Sequence, residues 1–153
     1  MARFARIMAA VTLLVPAGST SAASFGEWGA GFGQGVLEYG IKNDSAGSDH
    51  LYIACSDDWG TSVSFTVGGK SPPAKSDVFV AAGRDQLELS TDEWGSFTTK
   101  SHVASDTFRY LWAIIRRESV LHVRLASGES TTFSLKGAAK VLPREPCKTD
   151  YER

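Results

Sequence analysis

Reactive and metal-ligating residues are scarce in this 153-residue chain, and each scarcity argues against a class of chemistry. The two cysteines, Cys55 and Cys147, stand far apart, so the Cys-x-x-Cys pairs of zinc and redox sites are absent. The three histidines, His50, His102 and His122, fall singly on or beside strand-like stretches. No pair has the His-x-His or His-x-x-x-His spacing that brings two imidazoles to one ion. No Gly-x-Ser-x-Gly elbow is present to present a serine nucleophile. Adjacent carboxylates occur at Asp57-Asp58 and Asp92-Glu93, inside turns, where nothing makes two acids face each other across a glycosidic bond. Gly68-Gly69-Lys70-Ser71 looks like the end of a phosphate-binding loop, but Ser64 stands where its first glycine belongs. Pro72 and Pro73 follow where that motif needs a helix. The acidic turn 43–49 lacks the ligand spacing and closing glutamate of a calcium loop. No catalytic residue, no metal site and no cofactor is expected. An enzyme whose site is assembled from the dispersed histidines and acidic turns is the third functional reading.

Basic runs and long apolar stretches are missing too. The most apolar stretch, residues 7–15, is far shorter than the about 20 residues that span a bilayer. It follows Arg3 and Arg6, and it is followed by Pro16, Gly18 and the small residues Ser21-Ala22-Ala23. Residues 1–23 therefore read as a secretory signal peptide cut near Ala23/Ser24, which predicts a periplasmic or secreted protein. No cysteine follows the apolar stretch for lipid attachment, and no stable membrane anchor is expected. Without residues 1–23 the chain keeps 14 basic and 17 acidic residues, a net charge of −3. A weakly acidic chain with no basic run is a poor partner for nucleic acid or anionic lipid. Two cysteines in an exported chain most simply pair, and a Cys55–Cys147 disulfide would staple the 50–56 strand to the C-terminus and make everything between one closed unit. Free or metal-binding thiols are the alternative, and their separation disfavours it.

Period-two alternation, by contrast, is abundant. Residues 36–42 set Leu37, Tyr39 and Ile41 against Val36, Glu38, Gly40 and Lys42; residues 50–56 set Leu51, Ile53 and Cys55 against His50, Tyr52 and Ala54. Residues 61–68, 78–82, 86–90, 96–102, 120–126 and 130–135 also read as strands, the last two as a hairpin around Ser127-Gly128. The period changes once: Phe108, Leu111, Trp112 and Ile115 predict a helix over 105–117, with Ser105 or Asp106 as N-cap and Arg116-Arg117 at its end. Residues 137–142 predict a short helical turn stopped by Pro143. The glycine-dense residues 24–35 read as a flexible lead segment or a loosely held edge, a linker being preferred, residues 36–147 as a single domain, and 148–153 as a frayed tail. The fold class predicted is mainly β: an antiparallel β-sandwich or partly open barrel of about eight short strands with one helix.

One recurrence remains. Glu27-Trp28-Gly29, Asp58-Trp59-Gly60 and Glu93-Trp94-Gly95 repeat acid-Trp-Gly. Turn chemistry accounts for it, since an acid and a glycine shape a turn. The sharper reading makes Trp28, Trp59 and Trp94 a binding surface, because tryptophan is enriched at binding hot spots.

The stretch Leu51-Tyr52-Ile53-Ala54-Cys55 resembles the cysteine-bearing strand of the VasI/TagO-type accessory proteins of type VI secretion. Residues 108–111 resemble the start of their helix, and residues 132–142 followed by Cys147 look like their closing strand, helix and cysteine. The glycine-rich lead segment departs from that pattern. Small exported proteins related to bacterial invasion are a second similarity. The resemblance implies a periplasmic, non-enzymatic, β-rich accessory protein. The expected partner is another envelope protein, or a cell-wall polymer. The alternative is an inhibitor or immunity protein against a cell-wall-degrading enzyme or toxin.

Overall fold

Alternating apolar side chains need a sheet with one buried face, and the chain builds two. The computed structural model describes residues 26–44 and 47–153; the signal-peptide reading lies outside these residues. The first antiparallel sheet joins β1 (Gly29–Gly33), β2 (Val36–Lys42), β3 (His50–Ser56), β4 (Gly60–Thr66) and β7 (Phe97–Thr98), in the order β1-β2-β3-β4-β7. The second joins β5 (Asp77–Ala82), β6 (Asp85–Ser90), β8 (Val120–Leu125) and β9 (Ser130–Ser134), in the order β6-β5-β8-β9. Tyr39, Ile41, Leu51, Ile53, Val63 and Phe65 point inward from the first sheet. Val78, Val80, Leu89, Leu121, Val123, Leu125 and Phe133 point inward from the second. One helix, α1 (His102–Arg117), adds Phe108, Leu111, Trp112, Ile114 and Ile115 to the same core. The architecture is the predicted β-sandwich class, with no closed barrel.

Side chains that flank β1 and β2 also finish an edge of the second sheet. Trp28 Nε1 donates to the Ser134 carbonyl at 2.9 Å, and Asn43 Nδ2 donates to the Thr132 carbonyl at 3.0 Å. Both carbonyls point out of the same edge of β9, so two bonds cover backbone groups that would otherwise invite another strand.

Three local expectations are corrected. The lead segment is not a linker: β1 pairs with β2 from Gly29↔Gly40 to Gly33↔Val36. A strand ladder needs only backbone groups, and an edge position tolerates glycine. The hairpin turns on Gln34 and Gly35, at φ 52° and 79°, the two left-handed positions that a two-residue turn of matching twist requires. The helix begins at His102, and β7 shrinks to two residues where a strand over 96–102 was expected. Ser101 is the N-cap, its hydroxyl accepting from the Ala104 amide at 3.1 Å, while the buried Ser105 hydroxyl donates to the Thr99 carbonyl instead.

The tail is not frayed. A short 3-10 helix, Asp150–Glu152, follows Cys147, which lies 5.9 Å from Cys55 between Cα atoms in a disulfide. The Asp150 carboxylate accepts from the Thr61 amide at 3.0 Å, and the Asp150 amide donates to Thr99 Oγ1 at 2.9 Å. Thr61 Oγ1 donates to the Lys148 carbonyl at 2.7 Å. The rest of the C-terminal segment begins at α2 (Ala138–Val141), which ends before Pro143 as expected.

Candidate binding surface

The pairing register decides which turns are neighbours. Val36 faces Ser56 across β2 and β3, and Ser56 faces Gly60 across β3 and β4. The Gln34-Gly35 turn and the Asp57-Asp58-Trp59 turn therefore stand side by side at one end of the first sheet, the end that carries the disulfide. The Ser56 hydroxyl accepts from the Asp58 and Trp59 amides, each at 3.2 Å, and so shapes the second turn. Trp59 is left 76% exposed. Gly60, at φ 94°, packs against the Asp150 carboxylate so closely that a Cβ there would overlap it.

Phe32 and Leu37 are direct cross-strand partners, and Leu37 faces Cys55. The three form one row on the inward side of the sheet, but beyond the reach of the second sheet, so Phe32 is 77% exposed and Leu37 also reaches solvent. A groove of about 400 Å³ runs along this row between Phe32, Leu37, the disulfide, Lys148 and Arg153. On the opposite side of the same hairpin, Trp59, Tyr52, Glu38 and Ala54 line a second groove of about 470 Å³. Exposed apolar residues thus flank the β1–β2 hairpin on both sides.

Behind Trp59 the sheet surface carries a polar pair. Tyr52 donates its hydroxyl to Glu38 Oε1 at 2.5 Å. Burial, the hydrogen bond to Glu38 and the Glu38 charge together push the Tyr52 hydroxyl up to about 12. It is a fixed hydrogen-bond donor at neutral pH and no base. His50 stacks at a tilt beside Tyr52, 5.7 Å between ring centroids. Burial and then the Lys42 charge lower its pKa below the ordinary histidine value, which favours the neutral ring. This strip can hydrogen-bond and stack.

The three tryptophans of the acid-Trp-Gly repeat do not form one surface. Trp28 is 7% exposed and belongs to the core, held by its bond to Ser134. Trp94 is 83% exposed, in a turn where Asp92 Oδ1 accepts from the Trp94 and Ser96 amides at 2.8 and 3.0 Å. The β4–β7 register, Ser62↔Thr98 and Val63↔Phe97, carries that turn toward the far end of β4 from Trp59. At about 3.4 Å per residue the separation is on the order of 20 Å. Gly60 and Gly95 of the repeat adopt positive φ while Gly29 opens β1, and only Trp59 joins the surface described above. Phe32 and Leu37, on the other side of the hairpin, were not anticipated. Phe32 is the one large apolar residue of the stretch 29–35, an outward sign that the glycine-rich segment does more than link.

The histidines lie on three separate elements. His50 is on β3; His102 starts α1, with Nδ1 3.1 Å from Asp106 Oδ2; His122 is on β8, its Nδ1 2.9 Å from Thr132 Oγ1. The outer face of the second sheet around His122 forms a concavity of about 740 Å³. There His122 bonds Thr132, and the Arg124 guanidinium carbon sits 4.3 Å over the Phe79 ring. Among the described residues, no three His, Cys, Asp or Glu side chains are placed to hold a metal ion. None of the described helices is long and apolar enough to cross a membrane.

No curated protein and no solved structure matches the chain. A family model described as YfjT matches residues 26–142, a range that runs from the turn before β1 to the end of α2. The chain belongs to the YfjT family.

Proposed function

We propose that this is an exported, non-enzymatic binding protein that contacts another envelope protein through the disulfide end of its first sheet. The carrying observation is that exposed Phe32 and Leu37 on one side and exposed Trp59 on the other flank a single hairpin. Large apolar side chains left in water by a folded domain mark interaction surfaces, and aromatic anchors supply most of the energy of such contacts. The disulfide behind them, together with the bonds from Asp150, holds the surface in one shape and reduces the ordering cost of binding. The signal-peptide reading supports export. The likeness to VasI/TagO-type accessory proteins supports a place beside a secretion apparatus. A second use of the same surface is inhibition: the Gln34-Gly35 tip, flanked by Phe32 and Trp59, has the projecting form that enters an enzyme's cleft. A neighbouring gene for an exported hydrolase or toxin would favour that use.

Replacing both Phe32 and Trp59 by serine is expected to weaken capture of the native envelope partner by at least about thirtyfold, the scale of a lost hot spot. Both side chains are exposed, so unfolding free energy should move by no more than about 0.5 kcal/mol. Trp94→Ser is the matched control and should leave capture unchanged. Equal loss with Trp94→Ser, or binding to a cell-wall polymer that ignores all three substitutions, would move the interface elsewhere.

A further inference from the structure

The acidic net charge of the chain hides a local concentration of the opposite sign. On α1, Arg109, Ala113 and Arg116 recur at four and three residues and so share one face. Arg144 and Lys148 lie across from them, and the groove between measures about 650 Å³. Five cations line it against two carboxylates, Glu145 and Glu152. Two of the five are already engaged. Arg109 pairs with Asp106 and Glu152, and Arg117 pairs with Asp85 and Glu118. Arg116 spends Nε on the Leu142 carbonyl at 3.2 Å and keeps its two terminal nitrogens. Among the described residues, no ion pair joins Arg116, Arg144 or Lys148 to a carboxylate. Glu145 is the single lining carboxylate outside an ion pair, so three uncommitted cations stand against one anion.

The groove is also built rather than incidental. Trp112 Nε1 donates to the Pro143 carbonyl at 3.0 Å, and with the Arg116 bond and the disulfide at Cys147 this fixes the wall opposite the helix. Ala113, exposed between the two arginines, leaves the floor open. We propose that this groove binds a phosphate-bearing anion over Ala113, held by Arg116, Arg144 and Lys148. A net surplus of two charges matches a phosphate dianion, and guanidinium forks pair with its oxygens two at a time. The walls are held in place before the ligand arrives, so little ordering cost opposes binding.

The test is an amide NMR titration of the disulfide-bonded protein with pyrophosphate, alongside sedimentation with phosphatidylcholine vesicles with and without phosphatidylglycerol. Saturable shifts are expected at Ala113, Cys147 and Lys148. Arg144→Gln should weaken binding by at least about tenfold. Ala113→Glu, which leaves both walls intact and fills the floor with a like charge for the ligand, should do the same. Raising salt from about 50 to about 200 mM should weaken binding further. Binding of pyrophosphate alone assigns a soluble phosphate ligand; binding of the phosphatidylglycerol vesicles that Ala113→Glu abolishes assigns a lipid headgroup; either supports the site. No saturable response to either probe overturns it. So does binding that both variants leave intact, or a groove that takes poly-glutamate and not pyrophosphate.

Discussion

Cys55→Ala/Cys147→Ala is expected to lower the unfolding free energy by on the order of 4 kcal/mol, and to lower the thermal midpoint by roughly 10 °C or more. The two residues are 92 positions apart, so the bond closes everything from the end of β3 to the C-terminal tail into one loop. Most of its stabilisation in the chain-entropy model comes from the unfolded state, which loses freedom when its ends are tied. That origin has its own signature. The bonds from Asp150 to Thr61 and Thr99 do not depend on the sulfurs, so the folded variant should keep the tail docked, with protected Thr61 and Asp150 amides. The freed unfolded chain should expose more surface, and the denaturant m-value should rise. Urea unfolding and hydrogen exchange check both halves. A loss below about 1 kcal/mol with an unchanged m-value would place the tail's stability in its hydrogen bonds instead.

Trp112→Ala is expected to cost about 3–5 kcal/mol. Trp112 is the point where three parts of the molecule meet. It stands edge-on to Tyr39 of β2 with 5.3 Å between ring centroids, tilts against Phe108 one turn earlier at 5.8 Å, and donates to Pro143. Truncation removes the largest fully buried side chain of the core and leaves a void between helix and sheet. Trp112→Phe refills much of the volume and loses the hydrogen bond, so about 1–2 kcal/mol is expected. A thermal or urea series over the two variants separates the contributions. Equal losses in both would make the bond to Pro143, and not the packing, the larger part.

What was legible in the sequence follows from how far each interaction reaches along the chain. β2 and β3 carry clean alternation between turn residues, and their observed ends match the expected ones. The β8–β9 hairpin and the arginines closing α1 were legible for the same reason. The start of α1 was not, because Ser101, Ser105 and Asp106 are all competent caps and the choice turned on the Thr99 carbonyl taking the Ser105 hydroxyl. For β1 a linker was preferred over an edge strand because glycine has no side chain with which to alternate. The tail was missed because its partners, Thr61 and Thr99, are remote in sequence. Pairing register decided the candidate surface: it set Phe32 and Leu37 across the β1–β2 hairpin from Trp59, moved Trp94 to the other end, and left Trp28 buried. The basic groove was hidden similarly, since its cations come from a helix face and a loop rather than from one run.

The interface itself is tested most directly by placing a photoreactive benzoylphenylalanine singly at position 32, 59 or 94 in the cell that produces the protein and irradiating it there. Positions 32 and 59 should yield an adduct of the same mass with one envelope protein, and position 94 none. No adduct from 32 and 59, or an equal yield from 94, would contradict the disulfide end of the first sheet as the binding surface.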